Sequence, residues 1–129
     1  MNNPAHLKYA TSHEWARIED DGTVSVGITD HAQEQLGDVV FVEAPAVGKK
    51  ITQGKECGVV ESVKAAADIF APLSGEVVAI NDDLGGAPEK LNADPYGAWM
   101  FRVRPDNIAE LERLMDAASY AKTVAEDGH

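Results

Sequence analysis

Residues 58–75 read GVVESVKAAADIFAPLSG, two strand-like runs set around one lysine, Lys64. Valine, isoleucine and phenylalanine favour extended chain, so the pattern predicts strands over Glu56–Val63 and Ala67–Ala71 joined as a hairpin. The connection SVKAA contains no Gly, Asn or Pro, which argues against a primed two-residue turn. A type I turn accepts nearly any residue, so the composition of this tip is free to serve something other than turn geometry. Lys64 is also the only basic residue between Glu56 and Glu89. Its neighbours Val63, Ala65 and Ala66 are small and uncharged, leaving the amine open to an enzyme's active site. The plain alternative is a solvated turn lysine. An amine on a four-carbon stem at a hairpin tip suits acylation, which removes its charge and leaves a long arm.

Working outward, residues 14–19 (EWARIE) and 23–28 (TVSVGI) alternate as strands around an Asp21-Gly22 turn. Thr29 or Asp30 is placed to cap a short helix near 30–36 that Gly37 ends. Further strands are expected at 39–45, Gly75–Ile80 and Trp99–Val103, and Gly85-Gly86 reads as a flexible loop. After Pro105, Asn107 and Glu110 have the spacing of a capping box. Ile108, Leu111, Leu114 and Met115 fall on one helical face, and a second helix is expected from Ser119, with AEDGH fraying. Residues 40–48 and 68–75 both end in Ala-Pro-x-x-Gly, as a strand-then-turn unit used twice would. The reading is a mainly β fold, a small sandwich or flattened barrel, forming one domain over 1–129. Its core spans about 7–105 and its C-terminal helices about 107–125.

Composition removes several classes of function. Eleven basic against 22 acidic residues give a net charge of -11, which opposes binding to nucleic acid or to an anionic membrane. The same charge suits steering toward basic protein patches. No run of about 18 apolar residues is present. The start MNNPAHLKYA has neither a secretory core nor a transit-peptide pattern, so the expected location is the cytoplasm, or the mitochondrial matrix for a mature eukaryotic chain. Cys57 stands alone among apolar neighbours, as a buried structural thiol does. The histidines at 6, 13, 31 and 129 lack metal-ligand spacing, and no nucleophile elbow or phosphate loop is present. No catalytic residue or metal site is expected.

The segments VGITDHAQEQLGDVVFVEAP, GVVESVKAAADIFAPLSGEV and LNADPYGAWMF closely resemble the glycine cleavage system H-protein family over roughly residues 7–120. Neither the Asp-Lys-Ala tip usual in other lipoyl domains nor the Met-Lys-Met of biotinyl domains is present. The resemblance implies a barrel–sandwich hybrid fold with lipoate joined to Lys64 through an amide, installed by a lipoyl or octanoyl transferase. It implies a non-catalytic, monomeric carrier that takes an aminomethyl group from the pyridoxal-phosphate glycine decarboxylase to the aminomethyltransferase. Electrons then pass to dihydrolipoamide dehydrogenase. The alternative is an H-like relay that donates lipoyl groups to other lipoyl domains.

Glu61, Ser62, Val63, Ala65 and Gly75 are the candidate residues by which the hairpin is recognised. Ser12, Glu14 and Asp68 match the positions of a cleft that holds the loaded arm. One departure stands out: only Gly97 and Ala98 separate Tyr96 from Trp99, one residue fewer than the family pattern.

Overall fold

In the computed structural model, which describes residues 3–127, two antiparallel sheets pack around an apolar core. The strands are β1 (Lys8–Tyr9), β2 (Glu14–Ile18), β3 (Val24–Ile28), β4 (Val39–Glu43), β5 (Lys50–Ile51), β6 (Glu56–Ser62), β7 (Ala66–Phe70), β8 (Gly75–Ile80) and β9 (Phe101–Pro105). A six-stranded sheet runs β1-β2-β3-β9-β8-β5 and a three-stranded sheet runs β4-β6-β7. This is the mainly β, barrel–sandwich arrangement expected, although neither sheet closes on itself.

The repeated Ala-Pro-x-x-Gly has a topological meaning. β4 and β7 flank β6 on its two sides, and each is followed by a crossing into the six-stranded sheet, at β5 and β8. Those two strands are themselves antiparallel neighbours, so the two copies are pseudo-equivalent. The second glycine is required by close approach. Gly75 is buried between β5 and β9, and a Cβ there would strike the Arg104 carbonyl and the Val103 side chain.

Helix α1 (Asp30–Leu36) begins and ends as the sequence predicts. The Thr29 hydroxyl accepts from the Ala32 amide at 3.1 Å, and Gly37 leaves the helix at φ +76°. Elsewhere local signals mislead. Strand β9 starts two residues later than expected, at Phe101. Gly85 and Gly86 belong to the short helix α2 (Asp83–Gly86), which α3 (Lys90–Ala93) follows.

The segment Ile108–Arg113 is a 3-10 helix, not an α-helix. Asn107 caps it by accepting from Ala109, but Glu110 does not complete a capping box. Its carboxylate instead accepts from the Ser74 amide and hydroxyl, at 2.8 and 3.2 Å. Leu111 is buried while Ile108 stays exposed, and Met115 is extended, exchanging both backbone hydrogen bonds with Tyr9. Helix α4 (Ala117–Asp127) starts two residues before Ser119 and includes Ala125–Asp127 of the tail expected to fray; Gly128 and His129 lie outside the described residues.

A second apolar cluster fixes α4 against the sheet. Leu7, Tyr9, Trp15 and Tyr120 are buried together, and the Tyr9 and Tyr120 rings stack at 4.6 Å. The Tyr120 hydroxyl lies 2.7 Å from both His13 Nδ1 and Thr29 Oγ1, joining α4 to a tight turn and to the cap of α1. Tyr120→Phe should keep the stacking and lose these bonds. A loss of about 1–2 kcal/mol in urea unfolding is expected; an unchanged midpoint would show that the hydroxyl does not hold the helix.

Candidate functional site

Lys64 occupies the tip of the β6–β7 hairpin and is exposed. Ser62 builds the turn from its side chain. Its hydroxyl oxygen accepts from the Lys64 amide at 3.3 Å and the Ala65 amide at 3.1 Å, while its own amide donates to the Ala65 carbonyl at 2.7 Å. No tip residue has positive φ, so the turn is not a primed one. The Val63 amide donates to the Asp38 carbonyl at 3.1 Å, pinning the tip to the connection between α1 and β4. The lysine stem leans over the end of α1: a Cβ built on Gly37 would lie 3.5 Å from Lys64 Cε. The frame is fixed and the amine is free.

Beside the tip lies a cleft of about 180 Å³ lined by Ser12, His13, Ile28, Ala32, Gln35, Leu36 and residues 67–69. Its apolar lining comes from Ile28, Ala32, Leu36, Ala67 and Ile69, and Ser12, Gln35 and Asp68 give it polar edges. Two of the three candidate arm-holding residues, Ser12 and Asp68, therefore border one space. Glu14 sits behind it. It is 1% exposed, accepting from the Ser12 hydroxyl on one oxygen and from the Phe70 amide at 3.1 Å on the other. Glu14 is not a surface charge; it ties Ser12 and β2 to β7.

The hairpin candidates also separate. Glu61, Val63 and Ala65 are exposed at or beside the tip, and Ser62 holds its turn. Gly75 is elsewhere. It starts β8 in the other sheet, buried, and its lack of a side chain permits the close strand packing there. The short Tyr96–Trp99 loop is held in spite of its missing residue. Trp15 Nε1 donates to the Pro95 carbonyl at 3.0 Å, and the Asp30 amide donates to the Tyr96 hydroxyl at 3.1 Å.

A family model described as glycine cleavage H-protein matches residues 7–127. The chain belongs to the glycine cleavage H-protein family. It is 60% identical over 129 residues to a glycine cleavage system H protein of Nitrosospira multiformis, covering all of both chains. It is 61% identical over 126 residues to that of Methylococcus capsulatus, covering 98% of each. Its fold superposes on the crystal structure of a glycine cleavage system H protein from Mycobacterium marinum with a TM-score of 0.85. The two are 39% identical, with 98% and 99% of the chains covered.

Within this H-protein fold, several residues at the cleft carried no sequence signal of that role. Ala32 and Leu36 stand four apart on one face of α1, a spacing that predicts a shared surface but not what covers it. His13, at φ +75°, and Tyr120, 107 positions away, set the rim jointly, and no local pattern links them. Cys57 is buried, and its thiol is pushed up to about 12 by burial first and the nearby Glu14 second, which makes it inert as a nucleophile.

Burial also raises the Glu14 carboxyl above its ordinary value of 4.5, a push that the Ser12 and Phe70 donors oppose. A folded value above the unfolded one means the folded state binds this proton more tightly. The stabilising contribution is present in full below the unfolded value and is lost as pH rises through the folded one. Glu14→Gln cannot titrate. The stability of wild type relative to Glu14→Gln should therefore fall as pH rises from about 4 toward 7, measured by urea unfolding. Parallel pH profiles would contradict the assignment.

Proposed function

We propose that this chain is the lipoyl carrier of a glycine cleavage system, with lipoate attached to Lys64. The observation that carries the reading is the placement of one exposed amine on a pinned tip, within reach of a cleft with an apolar lining and polar edges. The residues present suit the group. Small neighbours leave the amine accessible, the stem passes beside Gly37, and Ile28, Ala32, Leu36 and Ile69 offer a hydrocarbon arm an apolar rest. Lipoate would supply a cyclic disulfide whose sulfurs can carry an aminomethyl group and, as the dithiol, two electrons.

The chain's own part is placement. Ser62 and the Asp38 carbonyl hold the tip, while Ser12 and Asp68 offer oxygen acceptors to a cationic amine at the cleft edge. The apolar lining excludes water there. On this reading the protein is a single-domain, monomeric, cytoplasmic carrier with no catalytic residue. Glycine decarboxylase, aminomethyltransferase and dihydrolipoamide dehydrogenase act on its arm, and a lipoyl or octanoyl transferase attaches it.

Lys64→Arg keeps the positive charge and removes the acylatable amine. After incubation with lipoyl-AMP and a lipoyltransferase, tryptic mass spectrometry should find the lipoyl mass on the Lys64 peptide of wild type alone. The lipoylated wild type should then support glycine- and tetrahydrofolate-dependent NADH formation with the three enzymes, and the variant should support none. Lipoylation on another lysine would refute the attachment site. A fully lipoylated wild type inert toward glycine but able to donate lipoyl groups to other lipoyl domains would establish the relay.

A further inference from the structure

A histidine at the rim of the cleft occupies a backbone position that favours other residues. His13, in the turn between β1 and β2, is at φ +75°, and among the described residues it is the one non-glycine at positive φ. Glycine serves that geometry without strain, and asparagine tolerates it. The His13 amide donates to the Ala10 carbonyl at 3.0 Å, and its carbonyl accepts from the Thr29 amide at 3.1 Å. Neither bond needs an imidazole. The ring itself borders the cleft beside Ser12 and Asp68, so the side chain, not the turn, accounts for a histidine here.

Hydrogen bonding orders that ring. Thr29 is fully buried and its hydroxyl oxygen already accepts from the Ala32 amide, which leaves its own hydrogen for the Tyr120 oxygen at 2.7 Å. The Tyr120 hydrogen then points at His13 Nδ1, also 2.7 Å away. The chain Ala32–Thr29–Tyr120–His13 therefore runs in one direction and ends on a nitrogen without a hydrogen. A proton on Nδ1 turns the last bond around. Tyr120 must then donate to Thr29, and the buried Thr29 hydrogen gives up its acceptor.

The groups facing the ring decide what such a proton does to the cleft. From α1, His31 lies 4.7 Å away, tilted by 51° and buried, so charge on one ring opposes charge on the other. From α4, Tyr120 meets His13 edge-on at 5.7 Å, and burial keeps Tyr9, stacked on Tyr120, in its neutral form. From β7, Asp68 shares the cleft, and Glu14 of β2 lies buried behind Ser12. The Lys64 stem leans over the end of α1, and acylation removes its charge. Ser12 and Asp68 are the acceptors available to a cationic arm. An imidazolium beside them competes for the same oxygens and repels the arm's ammonium.

We infer that His13 is a proton-operated release for the loaded arm. Neutral, it completes the rim and accepts from Tyr120; protonated, it expels the cationic arm from the cleft. This rests on the cleft receiving the aminomethyl-loaded arm of Lys64. Release and protonation are reciprocal, so a cationic arm in the cleft lowers the affinity of His13 for a proton by the same factor.

The test uses lipoylated protein before and after loading by glycine decarboxylase and glycine. Imidazole nitrogen and backbone amide NMR spectra are followed from about pH 8 down to about pH 5.5, across the ordinary range of histidine. At the alkaline end His13 should carry its hydrogen on Nε2. Loading should lower its titration midpoint by at least about half a pH unit, a threefold change in proton affinity. As pH falls, loaded wild type should lose the loading-induced shifts at Ala32, Gln35 and Asp68. His13→Asn suits the positive φ, keeps a side-chain acceptor for Tyr120 and cannot titrate, so its shifts should persist to about pH 5.5.

A neutral ring with its hydrogen on Nδ1, a midpoint unmoved or raised by loading, or a His13→Asn protein that loses the shifts in step with wild type would overturn the inference. If His13→Asn does not fold, the wild-type midpoint decides alone. Cleft residues that fail to shift on loading at any pH remove the underlying reading as well; cleft shifts with an unmoved His13 midpoint remove this inference alone.

Discussion

A buried carboxylate joins the two sheets at the edge of the cleft. Glu14 belongs to the six-stranded sheet, and one of its oxygens accepts from the amide of Phe70, in the three-stranded sheet that carries the hairpin. Its other oxygen takes the Ser12 hydroxyl, so the cleft rim is fixed by the group that fixes the sheets. An isolated charge in such a place would cost several kcal/mol, and donors on both oxygens offset part of it. Burial still prevails, which is why its carboxyl titrates high. With that crosslink in place the rest follows. The Ser12–His13 turn stays close to α1, the Tyr120 hydroxyl reaches both His13 and Thr29, and β7 keeps Ala67–Ile69 facing Ala32 and Leu36 across the cleft.

The hairpin tip solves the opposite problem, holding a backbone still while leaving a side chain free. Ser62 does this with one hydroxyl that replaces the backbone acceptor of the turn, so neither glycine nor proline is needed. The Asp38 carbonyl then ties the tip to the end of α1. Ordering a long flexible arm costs entropy each time it is held, so a carrier works best if only the arm moves.

The strands were legible because alternating and β-branched residues give a period-two signal, as in Gly75–Ile80 and Val24–Ile28. Strands of two residues, Lys8–Tyr9 and Lys50–Ile51, are too short to carry a period. Apolar residues three apart fit a 3-10 helix as well as an α-helix, and Glu110 was drawn away from Asn107 by Ser74, 36 positions earlier. The exposed place of Lys64 at the hairpin tip was readable because the pattern around it is local. Glu14 was not. In a half-exposed strand it reads as a surface charge, and only packing on both sides of β2, with Ala16 in the main core and Trp15 in the second cluster, buries Glu14, Trp15 and Ala16 in succession. Gly75 illustrates the same limit: its pattern marks a turn, while its need comes from Arg104.

The central claim is that one frame serves both the exposed amine and the cleft that receives its arm. Amide NMR spectra of the lipoylated protein, compared before and after loading with the aminomethyl group, test it most directly. The account predicts shifts at Ser12, Ala32, Gln35 and residues 67–69, which line the cleft, with the Phe70 amide still protected from exchange by Glu14. Shifts confined to Val63–Ala65, with the cleft unperturbed, would contradict it.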